Sequence, residues 1–173
     1  REPGSTVIHN LITSKAVPEI IRENGGEPVR TRVGHSFIKA KMAETNAVFG
    51  GEHSAHYYFR DFWRADSGML AAMHVLAALG QQDKPLSEMM AKYNRYAASG
   101  EINSRLDSAE AQADRTEAVV KAFADRAENV DRLDGVTVEL KDGNWFNVRA
   151  SNTEPLLRLN VEADTQEAVD ALV

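Results

Sequence analysis

The sequence predicts two successive domains: a mixed α/β domain over residues 1–97, then a small α+β domain with an antiparallel sheet and two helices over 98–173. Three observations carry this. Early in the chain a strand-like segment, an amphipathic helix and a second strand-like segment follow one another, the order of a right-handed parallel crossover. Late in the chain three alternating segments crowd together, the first two joined by the hairpin signal Asp142-Gly143. Between these regions lies Ala97-Ala98-Ser99-Gly100, where charge changes: residues 1–99 carry 12 basic and 10 acidic side chains, residues 100–173 carry 8 and 16. A small-residue stretch at such a change reads as a hinge.

In the first domain, Val7 to Ile12 reads as a strand, Lys15 to Glu23 as a helix stopped by Asn24-Gly25-Gly26, and Pro28 to Val33 as a strand. A helix from His35 to Glu44 follows, then a short strand at Ala47 to Phe49, a Gly50-Gly51 turn and an aromatic strand at His56 to Phe59. Ser67 to Leu79 is a helix with Asp66 as N-cap and Gly80 at its end. Pro85 opens a further helix, to Tyr96, as its first residue. In the second domain Glu101 to Leu106 is a strand and Asp114 to Glu128 a helix, with Ala118, Val119, Ala122 and Phe123 on one face. Strands at Val136 to Leu140, Trp145 to Arg149 and Leu156 to Val161 precede a final helix capped by Thr165.

The chain has 173 residues, no cysteine, 43% hydrophobic residues and a net charge of −6. A chain of this size and composition builds a core without disulfides, so a disordered chain and a disulfide-framed module are excluded. The negative charge argues against nucleic-acid binding and against adhesion to an anionic membrane. The longest nearly apolar run, Met69 to Gly80, is far short of the ~20 residues that span a bilayer. The expected partners are small molecules or protein. Both ends read as cut: Arg1-Glu2-Pro3-Gly4-Ser5-Thr6 runs straight into a strand, and Ala171-Leu172-Val173 falls inside a helical pattern.

Two stretches have the composition of binding loops. Arg149-Ala150-Ser151-Asn152-Thr153-Glu154-Pro155 joins two strands and fits an anion cradle: a guanidinium grips two phosphate oxygens while hydroxyls, the Asn152 amide and backbone N–H groups serve the rest. The plainer alternative is a loop that satisfies its own backbone, with Arg149 paired to Glu154. In Gly50-Gly51-Glu52-His53-Ser54-Ala55-His56, Glu52 and Ser54 stand two apart and, on an extended segment, project to one side where adjacent sugar hydroxyls would fit. A metal held by Glu52, His53 and His56, a nucleophilic Ser54 and a polar hairpin are the other readings of the same residues. His35 stands at a helix start, where an anion is favoured, or serves as a cap. Tyr57, Tyr58, Phe59, Phe62 and Trp63 read as packing in preference to nucleobase stacking.

Taken in order, Thr31-Arg32-Val33-Gly34-His35-Ser36-Phe37-Ile38-Lys39, the Gly50 to His56 stretch, Gly100-Glu101-Ile102-Asn103 and the Arg149 to Pro155 stretch resemble the α-D-phosphohexomutases, nearest to the bacterial phosphomannomutase/phosphoglucomutase branch. Only the third and fourth of that family's four domains are resembled. The resemblance implies that Glu52 and Ser54 lie in a sugar-binding loop. It implies that Arg149, Ser151, Asn152 and Thr153 hold the phosphate that is not being transferred, and that His35 lines the same cleft. The third domain would recognise the sugar and the fourth would close over the phosphate.

Two positions depart from the family pattern. Ala55 stands where many members have glycine, and a substrate-contacting lysine of some members falls at Ile12, near Ser14 and Lys15. The family's chemistry also uses a phosphorylated serine in a Ser-His-Asn-Pro-type loop and a Mg²⁺ in an Asp-Gly-Asp-type loop. Neither occurs in these 173 residues, so this chain contributes no catalytic residue and no metal ligand of that kind. The resemblance therefore implies the substrate-recognising half of a cytoplasmic mutase that interconverts hexose 1-phosphate and hexose 6-phosphate through a bisphosphate. The half itself would be inactive without the N-terminal domains and their Mg²⁺. A stand-alone phosphosugar-binding or protein-interaction module is the alternative.

Overall fold

A computed structural model describes residues 2–151 and 154–173. The chain divides into two compact units, Arg1–Arg95 and Tyr96–Val173.

The first unit is built on five strands: β1 (Thr6–Asn10), β2 (Glu27–Thr31), β3 (Phe49–Gly51), β4 (Tyr57–Phe59) and β5 (Ala65–Asp66). They lie in the order β2-β1-β3-β4-β5. β1 runs parallel to both β2 and β3, and β4 and β5 are antiparallel additions. Helices α1 (Ala16–Glu23) and α2 (His35–Thr45) make the two parallel connections, and α3 (Gly68–Leu79) and α4 (Leu86–Ala91) follow β5. The core is Ile8, Ile38, Met42, Ala47 and Tyr58, joining one face of the sheet to α2. Gly50 makes that packing close, because a Cβ there would lie 3.0 Å from Ile38 Cγ2 and 3.3 Å from the Met42 sulfur.

Four local expectations change here. Gly50 and Gly51 belong to β3, which starts at Phe49, because both pair with β1. The α3 cap is Ser67, whose Oγ accepts from the Leu70 N–H at 3.1 Å; Asp66 is held in β5 opposite Tyr58. Pro85 is the N-cap of α4, extended at ψ 159°, and the helix ends at Ala91. The aromatic run divides: Tyr58 is fully buried, whereas Phe62 and Trp63 lean against each other at the surface with their ring planes tilted by 58°, Trp63 at 85% exposure. α3 buries none of its residues although almost all of them are apolar. A groove of about 1240 Å³ runs beside it, lined by Val75 and Leu76 of α3 and by Val7, Phe49 and Phe59 of the sheet.

The second unit is an antiparallel sheet of β6 (Ala97–Arg105), β7 (Ala127–Asp131), β8 (Val136–Leu140), β9 (Trp145–Ala150) and β10 (Leu156–Ala163), ordered β6-β10-β9-β8-β7. Helices α5 (Ala111–Ala122) and α6 (Gln166–Asp170) complete it, as expected for an α+β unit with two helices. Val136, Val138, Leu140, Phe146, Val148, Leu157, Val161 and Val169 form the core, with Val119, Val120 and Phe123 packed against it. The alternate residues of the strands, Asn103, Arg158, Asn147 and Arg149 among them, therefore stand on the opposite, polar face.

The helix expected to run to Glu128 stops at Ala122. Phe123 caps it and packs edge-on against Phe146 at 4.8 Å, and Ala127–Asp131 is drawn into pairing with β8. Pairing at a sheet edge here outweighs helix propensity. The stretch expected as a hinge, Ala97 to Gly100, is instead part of β6. Ser99 and Gly100 together face Val161 in a β-bulge, and the Ser99 Oγ accepts the Val161 N–H at 2.9 Å in place of a ladder carbonyl. Thr165 caps α6 as expected, its Oγ1 accepting from the Ala168 N–H.

Candidate functional site

In the first unit, the order β2-β1-β3 means that the chain leaves β1 to one side and returns on the other. A crevice opens outside strand ends at such a switch point. Asn10 ends β1 and Glu52 follows β3, so both stand there. Asn10 is fully buried; its Oδ1 faces the His53 N–H at 3.5 Å, and its Nδ2 has no partner among the described residues.

Residues 52–56 form a tight hairpin loop. The Glu52 N–H donates to the His56 carbonyl and the Ala55 N–H to the Glu52 carbonyl, both at 3.0 Å. The loop places Ala55 at φ +65°, the left-handed position that favours glycine in three-residue hairpin loops. Ser54 is exposed in the turn, and Glu52 is turned inward at 6% exposure. The two side chains therefore do not project from one side of an extended segment, because the backbone is a turn and buried donors draw in the carboxylate. The Tyr58 hydroxyl donates to Glu52 Oε1 at 2.6 Å, and the Gly34 N–H donates to Oε2 at 3.1 Å.

Gly34 is the N-cap of α2 and His35 its first, exposed residue, so the Gly34–Glu52 bond brings His35 and the loop together. His56 Nδ1 lies 3.0 Å from Asp66 Oδ2, and this hydrogen bond holds the Asp66 carboxyl below the usual carboxylate range. Glu52, His53 and His56 do not gather into a metal site. Among the described residues no group of three or more His, Cys, Asp or Glu could hold a metal ion.

In the second unit, Arg149 stands near the end of β9, half-buried, and Ser151 just beyond it is buried. The Ser151 N–H donates to the Leu156 carbonyl at 2.9 Å, closing the loop at its base. Asn152 and Thr153 lie outside the described residues. Among those described, no ion pair joins Arg149 to Glu154. The cross-strand neighbour of Arg149 on β10 is Arg158, a second guanidinium directly opposite. Arg158 reaches Glu101 only at 3.7 Å, and its Nε is buried with no partner among the described residues. Directly opposed like charges destabilise a sheet unless an anion lies between or beside them.

Three contributors carry no clear mark in the sequence. Tyr58 sits in an aromatic run that reads as packing. Arg158 shows in the alternation Leu157, Leu159, Val161, but its neighbour depends on register. Gln112, near the start of α5, places its Nε2 3.3, 3.1 and 3.0 Å from the carbonyls of Ser151, Glu154 and Leu156, bracketing the loop; no pattern in the sequence singles it out.

Comparison with known proteins gives the same two-part division. Residues 1–96 match the family model "Phosphoglucomutase/phosphomannomutase, alpha/beta/alpha domain III", and residues 101–173 match "Phosphoglucomutase/phosphomannomutase, C-terminal domain". A phosphohexose mutase of Xanthomonas campestris is 42% identical over 164 residues, covering 94% of this chain and 36% of that protein. A phosphomannomutase of Methanocaldococcus jannaschii is 42% identical over 166 residues, 96% of this chain and 36% of the relative. The crystal structure of a phosphoglucomutase/phosphomannomutase family protein from Burkholderia thailandensis superposes with a TM-score of 0.82 at 30% identity, over 98% of this chain and 36% of that one. The chain thus spans about 36% of the length of these relatives. With both family models in register with the two folded units, the chain belongs to the phosphoglucomutase/phosphomannomutase family and carries its domain III and its C-terminal domain.

Proposed function

We propose that this chain is the substrate-recognition part of a phosphohexomutase that interconverts hexose 1-phosphate and hexose 6-phosphate. The observation that carries the reading is the cross-strand pair Arg149–Arg158 at the mouth of the Arg149 to Pro155 loop. Two arginines opposed across β9 and β10, with the nearest carboxylate given to either, Glu101, on the far side of β10 at 3.7 Å from Arg158, are a local anion site in a unit of net negative charge. Arg149 would grip phosphate oxygens in bidentate fashion, with Ser151, Asn152 and Thr153 supplying further donors. Glu52 would accept from a sugar hydroxyl with the lone pairs that Tyr58 and Gly34 leave free, and Ser54 and His35 would contribute from the exposed side of the same loop and helix start.

In this reading the chain binds and orients; transfer itself, through a phosphoserine and a bisphosphate, would use residues other than these 173. Mg²⁺ would supply charge stabilisation at the transferred phosphoryl group. The described residues offer it no cluster of hard oxygen ligands, so no step is assigned to it on this chain. The partners are then the hexose phosphate and the N-terminal domains, in the cytoplasm. No helix among the described residues is long and apolar enough to cross a membrane.

The test is an NMR titration of the labelled chain with mannose 6-phosphate and glucose 1-phosphate, repeated with Arg149→Ala. Shifts at residues 149–153 and 51–54 that vanish in the variant are expected. Shifts elsewhere, or shifts indifferent to the substitution, would remove this function from the chain. A mutase assay of the chain alone is expected to show no turnover.

A further inference from the structure

We propose that Tyr58 is a positioning residue of the sugar site: its hydroxyl, with the Gly34 N–H, fixes the Glu52 carboxylate in the orientation from which it accepts a ligand hydroxyl. The proposal rests on the hexose phosphate reading above and deepens it. A carboxylate on a hairpin loop ordinarily rotates freely about its last torsions and points into water. Glu52 is instead held at both oxygens, by Tyr58 at 2.6 Å and by Gly34 at 3.1 Å, and is buried.

Both donors are themselves fixed. Tyr58 lies opposite Gly50 in the β3–β4 register, its ring fully buried in the cluster with Ile8, Ile38 and Met42. Gly34 is fixed because α2 packs through Ile38 and Met42 close against the side-chain-free Gly50. The core of the unit therefore sets the direction of one carboxylate at its edge. Both oxygens accept and each keeps further acceptor capacity, so the arrangement suits a ligand that donates, as a sugar hydroxyl does. Tyr58 does this through Glu52 and needs no contact with the ligand.

The experiment titrates the labelled 173-residue chain with mannose 6-phosphate and, separately, with inorganic phosphate, as wild type, Tyr58→Phe, Glu52→Gln and the double variant. Tyr58→Phe keeps the ring in the core and is expected to weaken mannose 6-phosphate binding roughly 3- to 10-fold, the scale of one lost net hydrogen bond, with inorganic phosphate unaffected. It is also expected to move the Glu52 carboxyl and Gly34 amide resonances. In the Glu52→Gln background the same change is expected to cost nothing more, since Tyr58 acts through that carboxylate. Unchanged affinity in Tyr58→Phe, or a full additive loss in the double variant, overturns the positioning role. Failure of the wild type to bind mannose 6-phosphate overturns the underlying reading as well. Should Tyr58→Phe not fold, Glu52→Gln leaves the tyrosine in place: a Tyr58 ring-carbon resonance that does not move in that variant overturns the proposal.

Discussion

Gly135 lies so close against Arg149 that a Cβ on the glycine would stand 2.9 Å from the Arg149 Cα and 2.4 Å from the Val148 carbonyl oxygen. Gly135 also sits at φ +66°, just before β8. The strand that carries Arg149 can take its place in the sheet only because this residue has no side chain.

Gly135→Ala is therefore expected to destabilise the chain by about 2–4 kcal/mol, combining left-handed strain with a backbone clash that no rotamer relieves. Urea unfolding measures the loss. Weaker phosphate binding in whatever fraction stays folded is expected with it, because the clash displaces Arg149.

Ala55→Gly is expected to act in the opposite sense. Ala55 holds φ +65° at the end of the 52–56 loop, where a Cβ costs roughly 1–2 kcal/mol. Glycine removes that cost but loses more freedom on folding, roughly 0.5–1 kcal/mol. A net gain of about 0.5–1 kcal/mol, seen as a raised thermal midpoint, is the expected result.

His9 makes stability depend on pH. Burial, which disfavours the charged ring, lowers its pKa to about 4, against an ordinary 6.5. Its Nδ1 lies 2.9 Å from Thr13 Oγ1, a hydroxyl that itself donates to the Asn10 carbonyl, so Nδ1 carries the proton and donates. The unfolded chain takes up a second ring proton below pH 6.5 and the folded one only near 4, so stability is fully present above 6.5 and falls between those values as pH is lowered. The full loss is on the order of 3 kcal/mol. His9→Asn, which keeps a donor near the Nδ1 position, is expected to flatten that part of the stability–pH profile.

Gln112→Ala is expected to loosen the loop it brackets. The carbonyls of Ser151, Glu154 and Leu156 lose their shared amide, and faster hydrogen exchange at the amides of residues 151 and 156 is the direct readout. A stability loss of about 1 kcal/mol is expected alongside weaker binding of inorganic phosphate.

The layered plan of each unit is written locally in the chain. Strand and helix periods, the Thr165 cap and the Asp142-Gly143 turn are features read from residues a few places apart. The composition of the two loops was legible for the same reason, whereas a preference for glycine at position 55 came from the family resemblance and from the φ of +65° in the folded loop. Contacts between residues far apart in sequence were not legible in this way and came from the folded chain. Arg158 meets Arg149 through strand register, and Gln112 meets the loop about 40 residues on through helix packing. Glu52 turns inward because Tyr58 and Gly34 converge on it from a neighbouring strand and a helix start. Ala127 and Glu128, placed at the end of a helix by local preference, join the strand Ala127–Asp131 because the edge of β8 offers unpaired N–H and C=O groups. Periodicity tells which face of an element is buried; it does not tell which partner arrives there, because that choice is made by the long-range packing of the whole unit.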